Sequence, residues 1–205
     1  LSEIQKGRLE WISNDYTVEK GLICLGDKGK NDYNCAGGTL LPVVLSLPPE
    51  SRAGLPNYGK KICGLTGPDA GKIFQALYEP LPPGQAPQPG DACVFSEGGS
   101  PEDSNYGFGH IGTVVGDLDG RPLIYGKDGY YGSFVGTVEQ WSKCHGGCPH
   151  YYRLKEHVRN ALSLGRNGEN HPVVEEYRWR AHHKNIPVHK LLRAFLNLKA
   201  HPDFQ

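Results

Sequence analysis

Between residues 92 and 135 the chain offers four short strand candidates separated by turn signals, and segments with helical spacing of apolar residues lie on both sides of them. Together these predict an α+β fold, helices packed on a central antiparallel β-sheet. A change of charge and composition near residue 157 divides the 205 residues into a domain, 1–157, and a basic, histidine-rich helical extension, 158–205. The length suits one well-filled core plus an appendage.

Taken in order, Ser2-Glu3-Ile4-Gln5 fits a capping box, and Ile4, Leu9, Trp11 and Ile12 follow at roughly helical spacing, predicting an opening helix that ends near Ser13-Asn14-Asp15. Residues 26–34 are polar and turn-rich and feed a run of small and apolar residues that starts at Cys35. Residues 48–68, rich in Pro and Gly, read as irregular. A second helix follows Pro68-Asp69, with Ile73, Phe74, Leu77 and Tyr78 on its packed face. After a proline-rich connector, Pro89-Gly90-Asp91 is a turn signal directly before a strand over 92–95. Strands are predicted at 110–115, 122–125 and 131–135, with Asp117-Leu118-Asp119-Gly120 as the hairpin turn between the first two. That tetrapeptide lacks the distal bidentate Glu of a calcium loop. A last strand is expected at 151–154, and helices over 173–180 and 188–198, the latter opened by Pro187.

Lys+Arg and Asp+Glu balance at 22 each, which argues against non-specific nucleic-acid binding as the main task, since that requires a basic surface. The balance conceals a split. Residues 150–205 carry ten basic against five acidic side chains, and residues 1–149 carry twelve against seventeen. The basic end suits either docking of an anionic partner or a solvated face that complements the acidic domain. No apolar run reaches the length of a membrane span. The chain opens on Leu1, contains no Met, and its first thirty residues lack the basic start and apolar centre of a signal peptide, so it reads as a processed chain or a fragment. Its six cysteines form no regular disulfide framework, and Cys24 and Cys93 sit in apolar contexts that suit buried thiols.

The chemistry-bearing pair is Cys35, in Asp32-Tyr33-Asn34-Cys35-Ala36-Gly37-Gly38, and His110, in Gly109-His110-Ile111-Gly112. Eight of the nine histidines lie at or beyond residue 145, so His110 is the one imidazole available to a nucleophile in the first 144 residues. A thiol with its ordinary pKa of about 8.5 is mostly protonated at neutral pH and needs such a partner.

Order and context of Asn34-Cys35-Ala36-Gly37, Pro89-Gly90-Asp91-Ala92-Cys93-Val94-Phe95 and Gly109-His110-Ile111-Gly112 resemble papain-like cysteine amidohydrolases of the CHAP and NlpC type, many of which cleave peptidoglycan peptides. The resemblance covers residues 20–155. It implies a papain-like fold with Cys35 at the N-terminus of a helix packed on the sheet, Cys35 as nucleophile, His110 as base, and Asp128 as the group that orients the imidazole. It implies no metal and no organic cofactor, and a peptidoglycan peptide as substrate. The backbone N–H of Cys35 and a group from the preceding loop, with Asn34 among the candidates, would meet the oxyanion. Tyr106 and Phe108, on the loop leading to His110, are candidate substrate contacts. One departure stands out: Pro42 and the pair Gly37-Gly38 predict a short or bent nucleophile helix.

The same machinery serves a deamidase or transglutaminase acting on protein glutamine. Cys144-His145-Gly146-Gly147-Cys148-Pro149-His150 packs four soft-metal ligands into seven residues and suggests, alternatively, a non-enzymatic zinc-knuckle module. A wall-cleaving enzyme would be secreted or delivered to the periplasm or cell wall, as a trimmed hydrolase or a toxin effector. An effector would be matched by an inhibitor or immunity protein occluding the Cys35 cleft.

Overall fold

The computed structural model describes residues 21–27, 34–56, 68–96 and 109–199. The opening helix expected over residues 2–15 lies outside them, as do Tyr106, Phe108 and Cys63.

Seven strands form one antiparallel sheet: β1 (Ile23–Gly26), β2 (Tyr78–Pro80), β3 (Ala92–Ser96), β4 (His110–Leu118), β5 (Arg121–Lys127), β6 (Ser133–Thr137) and β7 (Cys148–Leu154), in the order β1-β6-β5-β4-β3-β7-β2. The fold is therefore α+β on an antiparallel sheet, as expected. The hairpin between β4 and β5 turns at Asp119 and Gly120, whose φ values of 53° and 82° are those of a tight primed turn. Asp117 Oδ1 accepts from the Gly120 N–H at 2.9 Å, which closes the turn.

On one face lie the helices α1 (Cys35–Ser46), α3 (Pro68–Leu77), α6 (Pro172–His183) and α7 (Val188–Lys199). Ala36, Leu40 and Val43 of α1, Ile73 and Phe74 of α3, Val173 and Tyr177 of α6, and Leu192 of α7 share one core with Ile111, Val115, Leu123 and Tyr125 of the sheet. The helices beyond residue 157 thus belong to the same apolar interior as the strands. Their basic outer faces also reach back to the acidic part: Arg180 pairs with Asp27 at 2.7 Å and Arg193 with Asp119 at 2.7 Å.

A smaller core on the opposite face holds Cys24, Cys93, Phe95, Val114, Ile124, Phe134 and Trp141. It is covered by α4 (Val138–His145). Thr137 caps that helix by accepting from the Gln140 N–H while the Gln140 side chain accepts from the Thr137 N–H, a reciprocal capping box. Trp141 donates its indole N–H to the Ile124 carbonyl at 2.8 Å, locking α4 onto β5. Two short helices, α2 (Pro49–Ala53) and α5 (Glu156–Ala161), complete the α-helices among the described residues.

Four local expectations are corrected. Within residues 48–68, expected to be irregular, Pro49–Ala53 is helical, with Pro at a first-turn position where its missing N–H costs nothing. Helix α1 runs on through Pro42 to Ser46. The missing N–H leaves the Gly38 carbonyl without its helical donor, yet four more residues remain helical, because Leu40, Val43 and Val44 are fully buried against the sheet. Tyr78 begins β2, pairing with Leu154, instead of ending α3. Strand β6 starts at Ser133, because Gly129–Tyr131 forms a 3₁₀ turn that brings the Asp128 N–H to the Gly132 carbonyl at 2.8 Å.

Candidate active site

Cys35 is the first residue of α1 and is preceded by Asn34, whose Oδ1 accepts from the Gly37 N–H at 3.0 Å. Asn34 is thus the N-cap of the helix, and the cap fixes where the helix starts and therefore where the thiol stands. Gly38 lets α1 approach the sheet: a Cβ at that position would lie 2.9 Å from the Lys127 Cβ. The positive end of the helix dipole falls on Cys35.

The half-buried thiol rests against the backbone of Ile111 on β4. Burial pushes the Cys35 thiol up from its usual range, hydrogen bonding to the backbone at Ile111 and Ala36 pulls it back, and the Asp128 carboxylate raises it again. The net direction is upward, so the resting group is a protonated thiol.

His110 begins β4, one residue before the backbone that Cys35 meets, but alternation along the strand sends its ring to the opposite face. Its register partner is Phe95 of the smaller core. The imidazole lies on Trp141, ring centroids 4.5 Å apart, and on His145, 3.9 Å apart with planes 11° from parallel. Gly126 makes room for it, since a Cβ there would stand 3.2 Å from His110 Nε2. That nitrogen is buried without a hydrogen-bond partner. Burial, then the charge of His145, push His110 down to about 3, and Asp128 partly opposes them. The ring is neutral across the physiological range.

Asp128 follows β5 and its charge bears on both Cys35 and His110, while its Oδ2 faces His145 Nε2 at 3.5 Å. The three residues singled out in the sequence therefore gather at one end of β4 and β5. No hydrogen bond joins Cys35 to His110, and the imidazole that faces the Asp128 carboxylate, at 3.5 Å, is that of His145. His145 was legible only as a metal-ligand candidate. The signal that places it is Thr137-Val138-Glu139-Gln140, a capping-box pattern that predicts a helix carrying Trp141 and His145 on one face.

Of the zinc-knuckle residues, His145 is committed to this stack, Cys144 and Cys148 are not joined to each other, and Cys148 starts β7. Among the described residues no group of three or more His, Cys, Asp or Glu side chains is placed to hold a metal ion. None of the described helices is long and apolar enough to cross a membrane.

A cavity of about 250 Å³ opens beside the first turn of α1, lined by Gly37, Gly38, Lys127, Ser133 and Glu176, with Leu41, Pro42 and Leu45 forming an apolar wall. Lys127 is only 4 % exposed. Glu176 accepts from the Tyr125 hydroxyl at 3.1 Å and from Arg180 Nε at 2.9 Å, so its carboxylate is held fixed at the cavity wall. The cavity joins an apolar wall to a polar floor at the first turn of the helix that Cys35 heads.

Comparison with protein-family models, curated proteins and solved structures finds no match to this chain.

Proposed function

We propose that this protein is a cysteine amidohydrolase, with Cys35 as nucleophile, acting on peptidoglycan peptides. One observation carries the reading: a thiol heads a 12-residue helix, against the backbone of the residue following His110, within the field of Asp128. The substrate class rests on the resemblance of the Cys35 and His110 motifs to CHAP and NlpC enzymes.

In the proposed reaction a stacked imidazole, His110 in the first place, takes the Cys35 proton as sulfur attacks an amide carbonyl. The protonated imidazole then gives that proton to the leaving amine, and a water deprotonated by the same ring cleaves the thioester. The Asp128 carboxylate supplies the negative charge that stabilises the transient imidazolium. Proton transfer requires nitrogen and sulfur within about 3 Å, so the reaction requires the His110 ring, stacked on Trp141 and His145 on the far face of the sheet in the free protein, to swing to the Cys35 face when substrate binds. The backbone N–H of Cys35 supports the oxyanion, and Asn34 contributes by capping the helix. Delivery to the periplasm or cell wall, and an inhibitor protein covering the Cys35 cleft, belong to the same proposal.

The test is mass spectrometry of purified peptidoglycan digested with wild type and with Cys35→Ala. Muropeptide fragments that need Cys35 are the expected result and name the bond cut. Equal patterns from both proteins would overturn the reading and direct attention to protein glutamine as substrate.

A further inference from the structure

The end of the sheet away from Cys35 is organised around a buried ion pair. Asp91, the residue before β3, is 2 % exposed, and Arg153 grips both its oxygens, Nε to Oδ1 at 2.9 Å and Nη2 to Oδ2 at 2.8 Å. The Gln88 N–H adds a third donor at 2.9 Å. Strand β3 runs from this pair to its other end, where Phe95 lies opposite His110, so the two sites occupy opposite ends of the strand.

Beside the pair is a cavity of about 240 Å³, walled by Arg153, Arg159, Asn160 and Gly168, with His171 among its lining residues. His171 is fully buried, yet neither ring nitrogen has a hydrogen-bond partner, and Nε of Arg159 is also buried and unpartnered. Leaving such a group unsatisfied is unfavourable, and more so when it is charged. All three such atoms lie around one cavity. Gly90, at φ 100°, leaves room for the ring: a Cβ there would sit 3.0 Å from His171 Cδ2. Burial pushes His171 down to about 4, so the imidazole is neutral and presents one N–H and one lone pair.

Unmet hydrogen-bonding need, more than net charge, points to the ligand, since the lining also carries the exposed carboxylate of Glu156. The carboxylate of Asp91 is already spent on Arg153, whereas the Arg159 Nε–H has no acceptor. His171 is the N-cap residue of α6 and its side chain makes no capping bond, so the positive end of that 12-residue helix begins at the cavity wall. An arginine edge, an imidazole N–H and a helix start together favour an oxyanion. We infer that this cavity is a second binding site, for a small molecule bearing a carboxylate or phosphate group, held by Arg159 and His171. Its occupation would tie α5, the start of β3 and the start of α6 together and so stabilise the native state in proportion to ligand binding.

The inference is independent of the cysteine chemistry and is tested without activity. The imidazole ¹⁵N signals of His171 in the full chain are followed while inorganic phosphate and, separately, succinate are added at constant ionic strength, with chloride as control. A saturable shift is expected with at least one of the two anions, and the tighter of the two identifies the headgroup. Arg159→Gln should weaken binding about tenfold or more, the loss of one hydrogen bond to a charged group. Should that variant not fold, Arg159→Lys keeps the charge and removes the Nε edge, and the same weakening is expected. A His171 signal that both anions leave unmoved, or an equal shift in the Arg159 variants, would overturn the site. So would a high-resolution structure at saturating phosphate and succinate in which only water meets both ring nitrogens.

Discussion

His110 and His145 stack ring on ring with centroids 3.9 Å apart, and after burial this neighbour is the largest influence holding the His110 pKa down. Two imidazoles so close cannot both carry a proton comfortably, and one of the two, His145, has a carboxylate beside it. His145 thus stands between His110 and the Asp128 carboxylate.

Removing each ring separates their roles. His110→Gln should abolish Cys35-dependent hydrolysis, because His110 is the proposed proton acceptor, while His145→Gln should lower kcat about tenfold to a hundredfold and leave KM nearly unchanged. Steady-state kinetics of the two variants on a released muropeptide checks this. Equal losses would mean that the rings work as one unit.

Acid should weaken the fold through His110. The folded-state pKa of His110 lies near 3, below its unfolded value of about 6.5, so the unfolded chain binds more protons between those limits. Stability is complete above pH 6.5 and is lost progressively as pH falls toward 3. His171, held near 4 by burial, adds to the same trend over a narrower window. Urea unfolding at pH 7 and at pH 4.5 should show a clear fall in midpoint, and His110→Gln should flatten it.

Gly38→Ala should be destabilising although it sits inside a helix. The substitution would ordinarily gain about 1 kcal/mol of helix propensity, but the new Cβ would meet the Lys127 Cβ at 2.9 Å and push α1 off the sheet. Overpacking of this kind costs about 1–3 kcal/mol, so the net sign is a loss. Chemical denaturation reads it directly.

Asn34→Ala should cost about 1 kcal/mol by removing the cap of α1, and Asn34→Asp should restore it, since a carboxylate accepts from the Gly37 N–H equally well. The two variants should part company in thiol chemistry. The added negative charge of Asn34→Asp sits next to Cys35 and disfavours thiolate, so alkylation of Cys35 by iodoacetamide should shift to higher pH.

Much of this arrangement was legible in the chain because local signals and tertiary packing agree. The Asp119-Gly120 turn, the strand after Pro89-Gly90-Asp91 and the α6 and α7 periodicities each reflect a local rule that the fold keeps. The face taken by His110 was harder to read, because it depends on which side of β4 receives α1, a choice made by Ile111 and Val115 packing on Leu40 and Val43. Helix α4 escaped notice for a related reason: Gly146-Gly147 and the cysteines around it drew attention to a metal loop, while the capping box at Thr137 carried the structural information. Pro42 misled because helix-breaking is a local penalty, and burial of three neighbouring side chains outweighs it. The joint core of strands and C-terminal helices was hidden by their basic composition, which describes only their outer faces.

The most direct test is to trap the acyl-enzyme. A muropeptide fraction is mixed with wild type, quenched in acid within the first turnover, and the protein is analysed by intact mass and peptide mapping. The account predicts a mass gain equal to the acyl half of the substrate, located on Cys35, lost on treatment with hydroxylamine and absent from Cys35→Ala. Turnover of that fraction by Cys35→Ala, or an adduct located on another residue, would contradict it.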